Sequence, residues 1–312
     1  MDKRIVTSYE SPDLDGVSSM YAYAEYLNKT GTLSNYYIKG EPKKEVGIVC
    51  DLFQIKLEGE KTITEGQEVV IVDTNNMEEV INFINPDNVV EIIDHHTRSK
   101  SSEKCKKAII QIESLGAAAT LIAEKFKESN IPISREAAIL LYYGIISNSI
   151  NLKASITGQK DVDTANWLEG QCPEITKEKI EEIFTLKSKV EDKDLRQEME
   201  AEVVFAYKGR TMTIAQLEIA NIEEFLREKE PKIVEILEQI KQEKGIDYIF
   251  INCVDILNGF NIILTVDDET AELLKKELGY SLEDGRYKFD KIIQRKDLFK
   301  AIRETLKEDT ER

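Results

Sequence analysis

The sequence Val89-Val90-Glu91-Ile92-Ile93-Asp94-His95-His96 joins a β-branched apolar run to an aspartate and to the only two histidines in the chain. A short run rich in valine and isoleucine predicts a strand buried in a parallel sheet. Imidazole is the commonest metal ligand of proteins and a frequent acid–base group. We therefore expect the end of this strand to carry the chemistry of the protein.

The first half of the chain alternates short strand-like runs with helical patterns, which is typical of parallel α/β sheets. Residues 4–8 and 68–73 are further predicted strands. Predicted helices cover residues 16–29, 115–129, 134–147 and 160–168, with Ser114 and Ser134 as N-caps. The pattern predicts an α/β fold in which a mostly parallel sheet is flanked by helices.

The length of 312 residues exceeds what one hydrophobic core usually fills, so we expect two domains. The first is predicted at residues 1–186 and a second, smaller α/β domain at residues 200–312. Residues 187–199 are highly charged and predict a solvated linker, helical in preference to coiled. Predicted strands of the second domain are residues 202–207, 211–217, 248–254 and 259–266, and its predicted helices are residues 221–229, 232–244 and 268–278.

A net charge of −17 disfavours binding to nucleic acid or to anionic membranes. No apolar stretch approaches the roughly 18 residues that a membrane span needs. The four cysteines never form a CxxC pair and indicate thiols in a reducing compartment instead of disulfides or a zinc site. We therefore expect a cytoplasmic protein that acts on a small molecule.

Acidic residues follow each of the three predicted strands of the first domain. The first strand reaches Asp13 and Asp15 through a short loop, the second ends at Asp73, and the third ends at Asp94 beside His95. Ligands gather beyond the carboxyl ends of parallel strands, so we expect these side chains to converge. Neighbouring carboxylates repel one another unless a cation neutralises them. Carboxylates with imidazole suit Mn²⁺, with Mg²⁺ or Co²⁺ as alternatives, and two such ions would activate water and hold a phosphoryl group.

The strings SPDLDG, VDTN and DHH, in that order, resemble the first three motifs of the DHH phosphoesterase superfamily. LGAAATLIAEKF and YYGIISNSINLKASITGQKDVDTANWL resemble the helical region that carries its fourth motif. AQLEIANIEEF and QRKDLFKAI are similar to the second domain of the manganese-dependent inorganic pyrophosphatases and their exopolyphosphatase and prune relatives. The sequence has no GGGH motif, which is typical of the branch of nanoRNA and cyclic-dinucleotide phosphodiesterases.

The resemblance implies roles for the residues that match these motifs. Asp13 would bind a first metal ion, Asp15 and His95 a second, and Asp73 would bridge the two. Asn148 matches a further metal ligand, although a helix-end amide without a ligand role is an equal alternative.

The remaining implied roles concern the substrate. His96 would face the substrate phosphate, while Asp94 would orient the histidines. Arg295 and Lys296 match a basic pair that grips the anion, for which a forked guanidinium is well shaped. A small phosphorylated substrate is thus the expected partner, and a homodimer is one alternative for the oligomeric state.

Three positions depart from the pyrophosphatase pattern. Tyr9 replaces a histidine, Asn148 replaces an aspartate, and only Glu202 or Val203 stands where a phosphate-binding lysine is expected. A phenol that keeps its proton is a poor metal ligand. The exopolyphosphatase and prune relatives also lack that histidine, so its loss does not exclude hydrolysis.

These observations favour a metal-dependent phosphohydrolase that cuts a phosphoanhydride bond of pyrophosphate or short polyphosphate. A catalytically impaired relative that binds a phosphorylated ligand or a protein partner is the first alternative, because the three departures fall on functional positions. A small-nucleotide phosphodiesterase is the second alternative.

Overall fold

The computed structural model describes residues 3–199, 204–207, 209–280, 285–295 and 297–302. The chain divides into two compact units, Met1–Ile183 and Phe184–Arg312. Both units are α/β structures, which confirms the predicted fold class. Within the described part, no helix has both the length and the apolar character that crossing a membrane requires.

The first unit contains a five-stranded sheet in which every neighbouring pair is parallel, in the order β2-β1-β3-β4-β5. Its strands are β1 (Arg4–Thr7), β2 (Ser34–Tyr37), β3 (Val69–Val72), β4 (Val89–Asp94) and β5 (Ile109–Ile112). The three predicted strands are β1, β3 and β4. Because these three lie side by side and run in one direction, their carboxyl ends meet at one edge of the sheet.

The helices of this unit are α1 (Leu14–Lys29), α2 (Lys44–Phe53), α3 (Ala118–Glu128), α4 (Arg135–Asn148), α5 (Gln159–Gln171) and α6 (Lys177–Lys187), the last of which crosses the boundary between the units. Ser134 caps α4 as predicted, since its side chain accepts a hydrogen bond from the backbone N–H of Ala137 at 3.2 Å. The prediction that Ser114 caps α3 is wrong. That helix begins only at Ala118, after Ala117, which supplies no capping side chain.

The second unit contains a mixed five-stranded sheet with the order β10-β9-β8-β7-β6. Only β7 and β8 pair in parallel; the other described pairs are antiparallel. Its elements are α7 (Leu195–Glu198), β6 (Val204–Tyr207), β7 (Arg210–Ile219), α8 (Ile222–Lys244), β8 (Tyr248–Asp255), β9 (Phe260–Thr265), α9 (Asp268–Leu278) and β10 (Arg286–Phe289). Residues 202–203, at the start of one predicted strand, lie outside the described residues.

Two helices predicted on either side of Pro231 are one continuous helix, α8. Proline removes one backbone hydrogen bond from a helix and normally favours a break. Here the apolar stripe continues through the proline, from Leu226 to Ile233 and Leu237, and all three side chains are buried. Burial of this stripe against the sheet offsets the local cost of the proline.

Both faces of the second sheet are covered. Ile249 and Ile251 of β8 belong to the core on the side of α8, whereas Phe250 lies between them in sequence and packs on the side of α9. Leu195 and Met199 are buried in the core on the α8 side. The rest of the segment predicted as a solvated linker is largely exposed, including residues 191–194 and 196–198, and its role as a linker stays a prediction.

Candidate metal centre

Asp13 and Asp15 lie where β1 leads into α1. Asp13 is the N-cap of that helix and accepts a hydrogen bond from the backbone N–H of Gly16 at 3.1 Å. Gly16 has little free space, since a Cβ atom there would lie 3.2 Å from an oxygen of Asp73 and 3.2 Å from Ser8 Oγ. The glycine thus lets the start of α1 approach the end of β3.

Asp73 follows the last residue of β3 and adopts a left-handed backbone conformation with φ of 60°. This conformation is uncommon for residues other than glycine. The carboxylate is buried, and its Oδ1 atom has no hydrogen-bond partner. Burial, together with the charges of Asp15 and Asp13, holds the pKa of Asp73 well above its usual range. A buried carboxylate oxygen without a donor is the group that a cation would stabilise.

His95 is buried at the end of β4, and its two ring nitrogens have different surroundings. Nδ1 lies 2.9 Å from the carbonyl oxygen of Leu115, an acceptor only, so Nδ1 carries the proton that it donates. Neutral imidazole then presents the lone pair of Nε2, which lies 3.4 Å from Asp73 Oδ1 and 3.7 Å from Asp15 Oδ2. This is the tautomer in which a histidine binds a metal ion through Nε2.

Asp15 is fully buried and is held by the amino end of α3. Its oxygens accept hydrogen bonds from the backbone N–H groups of Ala118 at 2.8 Å and Ala119 at 2.7 Å. Burial raises the pKa of Asp15 to about 6, against the lowering effects of His95 and of the two backbone donors. The carboxylate is therefore fixed in orientation, yet costly to ionise without a nearby cation.

Asp94 links the two histidines through hydrogen bonds. Its Oδ1 atom accepts from the backbone N–H of His95 at 2.7 Å and from Nδ1 of His96 at 2.9 Å. Burial alone would raise the pKa of Asp94, but the hydrogen bonds from His96 and Asn75 outweigh it and lower that pKa. The His96 side chain is 58% exposed and lines the pocket.

Asn75 is a residue of this site that sequence analysis missed. Its amide donates to Asp94 Oδ2 and, at 3.2 Å, to the carbonyl oxygen of Thr97, and it accepts a hydrogen bond from the backbone N–H of Ser99. These contacts connect the loop after β3 to the loop after β4. The available signal was its place in VDTN, two residues beyond Asp73.

Asn148, the last residue of α4, also lies at the centre. Its Nδ2 atom donates to Asp15 Oδ2 at 3.2 Å and to the carbonyl oxygen of Gly116 at 2.9 Å. Both partners are acceptors, which explains why the amide turns its nitrogen, and not its oxygen, toward them. The oxygen-ligand role that the resemblance implies is not visible in this orientation and stays a prediction.

Tyr9 lies in the pocket and its hydroxyl oxygen accepts a hydrogen bond from the backbone N–H of Asp13 at 3.2 Å. Burial and the nearby charges of Asp73 and Asp13 raise the pKa of the phenol above its usual value. The side chain therefore stays neutral near neutral pH. Tyr9 supplies a hydroxyl where a basic nitrogen would supply a much stronger metal ligand.

Five of the residues predicted for the first unit line a pocket of about 340 Å³: Asp13, Asp73, Asp94, His96 and Asn148. The other two, Asp15 and His95, are buried and do not line it, but His95 Nε2 lies 3.4 Å from Asp73 Oδ1 and 3.7 Å from Asp15 Oδ2. Ligand atoms of Asp73, Asp94, His95 and His96 lie within 4.8 Å of one another. The donor set contains carboxylate oxygens and imidazole nitrogens without a thiolate, and it includes the partnerless Asp73 Oδ1. Such a set fits a divalent ion of the Mn²⁺ type better than a thiolate-preferring metal.

The predicted anion-binding residues belong to the second unit. Lys296 lies outside the described residues. Arg295 is half-buried, and its backbone N–H donates to Gln216 Oε1 at 2.7 Å. Just before it, the carbonyl oxygen of Ile293 accepts from Asn252 at 2.8 Å and from Asn261 at 2.5 Å, two buried side chains on neighbouring strands. These three amides fix the backbone that carries Arg295.

Comparison with known proteins agrees with this geometry. Residues 3–145 match the model of the DHH family, N-terminal domain. The manganese-dependent inorganic pyrophosphatase of Bacillus subtilis is 26% identical over 314 residues, covering 95% of this chain and 96% of that protein. A crystal structure from Methanococcus jannaschii, assigned as a family II inorganic pyrophosphatase, superposes with a TM-score of 0.68 at 21% identity, covering 97% of this chain and 99% of that one.

The match in the first unit covers the three strand ends that carry Asp13, Asp73 and His95. Similarity to the Bacillus subtilis relative extends through the second unit, and the Methanococcus jannaschii structure shares the fold over nearly the whole chain. These findings confirm the resemblance that the sequence motifs predicted, with residues 3–145 similar to the N-terminal domain of the DHH family and nearly the whole chain similar to a manganese-dependent inorganic pyrophosphatase.

Proposed function

We propose that this protein is a divalent-metal-dependent phosphohydrolase that cleaves the phosphoanhydride bond of inorganic pyrophosphate or a short polyphosphate, with Mn²⁺ as its preferred ion. The observation that carries the proposal is the convergence of Asp15, Asp73 and His95 around one point, where Asp73 Oδ1 has no hydrogen-bond partner. Similarity to the manganese-dependent inorganic pyrophosphatase of Bacillus subtilis supports both the ion and the substrate.

Asp13, Asp15, Asp73 and His95 would hold the metal, with Asp73 between the two ion positions. When bound, divalent ions supply Lewis-acid polarisation of the phosphoryl group and activation of the attacking water. Asn148 either contributes its amide oxygen after a rotation or remains a donor to Asp15 and Gly116.

His96 is the proposed contact to the substrate phosphate. Its exposed ring lies in the pocket wall, and the Nδ1–H bond to Asp94 fixes the direction of Nε2. The same bond raises the pKa of His96, so a larger fraction of the ring is protonated and able to donate to an anionic oxygen. Asp94 is thus proposed to orient His96, the catalytic histidine, without contacting the substrate.

Arg295 and Lys296 are the proposed anion contacts of the second unit. A guanidinium can donate two parallel hydrogen bonds to a phosphate, and such charge-assisted bonds are about twice as strong as neutral ones. The three amides that hold the backbone at Ile293 and Arg295 would reduce the entropy lost when this side chain is ordered on a substrate.

The test is a phosphate-release assay with pyrophosphate and tripolyphosphate in Mn²⁺, Mg²⁺ and Co²⁺. We expect release from at least one of the two substrates, fastest in Mn²⁺, and its loss on chelation. A folded preparation that releases phosphate from neither substrate in any of these ions contradicts the proposal.

A catalytically impaired relative that binds a phosphorylated ligand is the second candidate function. It is favoured by the neutral phenol of Tyr9 and by the amide nitrogen that Asn148 turns toward Asp15. Elemental analysis after gel filtration distinguishes the two candidate functions, because two tightly held ions per chain would contradict the hypothesis of a catalytically impaired relative.

We also propose a cytoplasmic location, which the four free thiols support. Fractionation of cells that make the protein is the direct test. Monomer and homodimer remain alternatives, which sedimentation velocity distinguishes.

A further inference from the structure

A buried carboxylate outside the metal centre contacts the segment on which the centre is built. Asp161 is fully buried near the start of α5 and takes no part in the donor set described above. Its Oδ2 atom accepts hydrogen bonds from the backbone N–H groups of Gly116 and Gly158, each at 2.8 Å, and Oδ1 accepts from the hydroxyl of Thr120 at 2.6 Å. One side chain thus joins the start of α5 to the segment before α3 and to α3 itself.

The contact with Gly116 is close enough to fix the position of that residue. A Cβ atom at Gly116 would lie 3.0 Å from Asp161 Cγ, which is closer than most Cβ contacts and would require a neighbour to shift by a few tenths of an ångström. The backbone at Gly116 therefore rests directly on the carboxylate.

The segment of residues 115–119 in turn contacts three residues of the metal centre. The carbonyl oxygen of Leu115 accepts the Nδ1 proton of His95, and the carbonyl oxygen of Gly116 accepts from Asn148. The N–H groups of Ala118 and Ala119 hold both oxygens of Asp15. The segment thus determines which nitrogen of His95 carries no proton, and it sets the orientation of the Asp15 carboxylate.

We propose that Asp161 is a positioning residue for the metal centre: it fixes residues 115–119, and through them the tautomer of His95 and the orientation of Asp15. The inference rests on the proposed metal-dependent function for its consequence, which is metal affinity. Its structural part concerns the ring of His95 and is measurable without any metal.

A pair of substitutions separates positioning from mere burial. Asp161→Ala removes all three hydrogen bonds. Asp161→Asn keeps them, because the amide oxygen accepts from both backbone donors while the amide nitrogen donates to the oxygen of Thr120. Asp255→Ala in the second unit is a matched control, since Asp255 is also fully buried and accepts from the backbone N–H groups of Ile222, Leu257 and Asn258.

Three measurements are made on the full chain: two readouts of the metal centre and one of stability. Imidazole ¹⁵N–¹H correlation spectra of the metal-free protein report the tautomer of each histidine, and the chain has only two. Calorimetric titration with Mn²⁺ alone reports metal affinity. Thermal melts monitor stability in each variant.

We expect Asp161→Ala to weaken Mn²⁺ binding about 10- to 100-fold, the usual range for partners that orient metal ligands. It should also shift the ring signals of His95 while those of His96 stay unchanged. Asp161→Asn should bind Mn²⁺ within roughly threefold of the wild type. Asp255→Ala should lower the melting temperature and leave both readouts unchanged.

Wild-type affinity and wild-type His95 signals in Asp161→Ala would overturn the proposal. So would equal loss in Asp161→Asn, which would point to charge instead of hydrogen bonding, or equal loss in Asp255→Ala, which would point to general destabilisation. If Asp161→Ala does not fold, Thr120→Val removes one of the three bonds, and unchanged His95 signals in that variant count against the proposal. A wild type that shows the Nδ1-protonated His95 but binds no Mn²⁺ would contradict the proposed function while leaving the positioning role intact.

Discussion

The two units place their candidate functional residues in different ways. In the first unit, every neighbouring pair of strands is parallel, and the candidate ligands lie beyond the carboxyl ends of β1, β3 and β4, either directly after the strand or after a short loop. In the second unit, the sheet is mixed, and Arg295 lies on a backbone segment held by side-chain amides of β7, β8 and β9. Strand direction brings the first set together and hydrogen bonds then orient its members, whereas the second set depends on long-range hydrogen bonds for its position.

This difference predicts a division of labour that kinetics can test. Residues at the strand ends should control metal affinity and turnover, because their side chains surround the proposed ion. Residues of the second unit should control substrate affinity, because they hold a cationic side chain. The following predictions test this division by measuring metal affinity, turnover and substrate affinity in variants of both units.

Asp73→Asn should have the largest effect. Removing the central carboxylate should lower kcat/KM by at least about 10²–10³-fold and weaken Mn²⁺ binding. The same change should raise the melting temperature of the metal-free protein, because the pKa of Asp73 is raised and its ionised form is therefore costly at neutral pH. Kinetics, calorimetry and thermal melts measure the three quantities. A metal-free variant that is less stable than the wild type would contradict the electrostatic account.

Arg295→Gln should raise KM about 10- to 100-fold, which corresponds to one hydrogen bond from a charged donor, at about 1.5–3 kcal/mol. Mn²⁺ affinity should stay at the wild-type value, since the first unit is unchanged. Steady-state kinetics with pyrophosphate, beside Mn²⁺ titrations, provide the check. A large loss of Mn²⁺ affinity in this variant would break the proposed division between the units.

The affinity for Mn²⁺ should fall as pH falls, by at least about tenfold for each pH unit below about 6, because the pKa values of both Asp15 and Asp73 are raised. Asp15, whose pKa burial raises to about 6, must lose its proton before it binds a cation. Its ionisation in the metal-free protein costs stability as pH rises from 3.8 through about 6, and bound metal reverses that cost. Titrations at several pH values test this, and Arg295→Gln should show the same profile, since it removes no carboxylate of the centre.

Asn261→Ala should raise KM several-fold, on the order of 3–10, and lower the free energy of unfolding by about 1–3 kcal/mol. The variant loses the donor to the Ile293 carbonyl oxygen and the acceptor of the Ile293 N–H, so the backbone before Arg295 is less fixed. Denaturant unfolding and kinetics report the two effects. An unchanged KM at reduced stability would show that the amide supports only the fold.

Tyr9→His should have the smallest effect, a gain of about 3- to 10-fold in affinity for the more weakly held ion. An imidazole nitrogen is a better ligand than a neutral phenol that already accepts the N–H of Asp13. Tyr9→Phe is the control and should change Mn²⁺ binding little. A strong loss in Tyr9→Phe would show that the phenol oxygen itself is a ligand.

The same contrast explains how much of the molecule the sequence could predict. The strand Val89–Asp94 was predicted to the residue, because β-branched apolar runs mark central parallel strands and the histidines mark their end. The strands β2 and β5 were missed because they lie at the edges of the sheet, where burial is only partial. SNYY alternates between buried and half-buried residues, and IIQI has no fully buried residue. The convergence of Asp13, Asp73 and His95 followed from the parallel order alone.

The parts that could not be predicted depend on contacts between side chains and distant backbone. A helical pattern from residue 115 suggested that α3 begins there, but residues 115–117 are used to accept from His95 and Asn148. Asp161 accepts a hydrogen bond from the backbone N–H of Gly116, which lies 45 residues away in the sequence. The periodicity of apolar residues cannot predict such a bond. The sequence likewise does not predict the role of the three amides that hold the backbone before Arg295, because each is a single polar residue within a strand. These amides are Gln216, Asn252 and Asn261.

The backbone at Asp73 limits how this centre can decay in evolution. A left-handed conformation costs most residues about 1–2 kcal/mol, whereas glycine adopts it freely and asparagine tolerates it. Lineages that abandon catalysis but keep the fold should therefore replace this aspartate by asparagine or glycine more often than by alanine or valine. The residue type at this position would then indicate that an inactive homologue descends from an active enzyme, because the backbone conformation restricts the replacements.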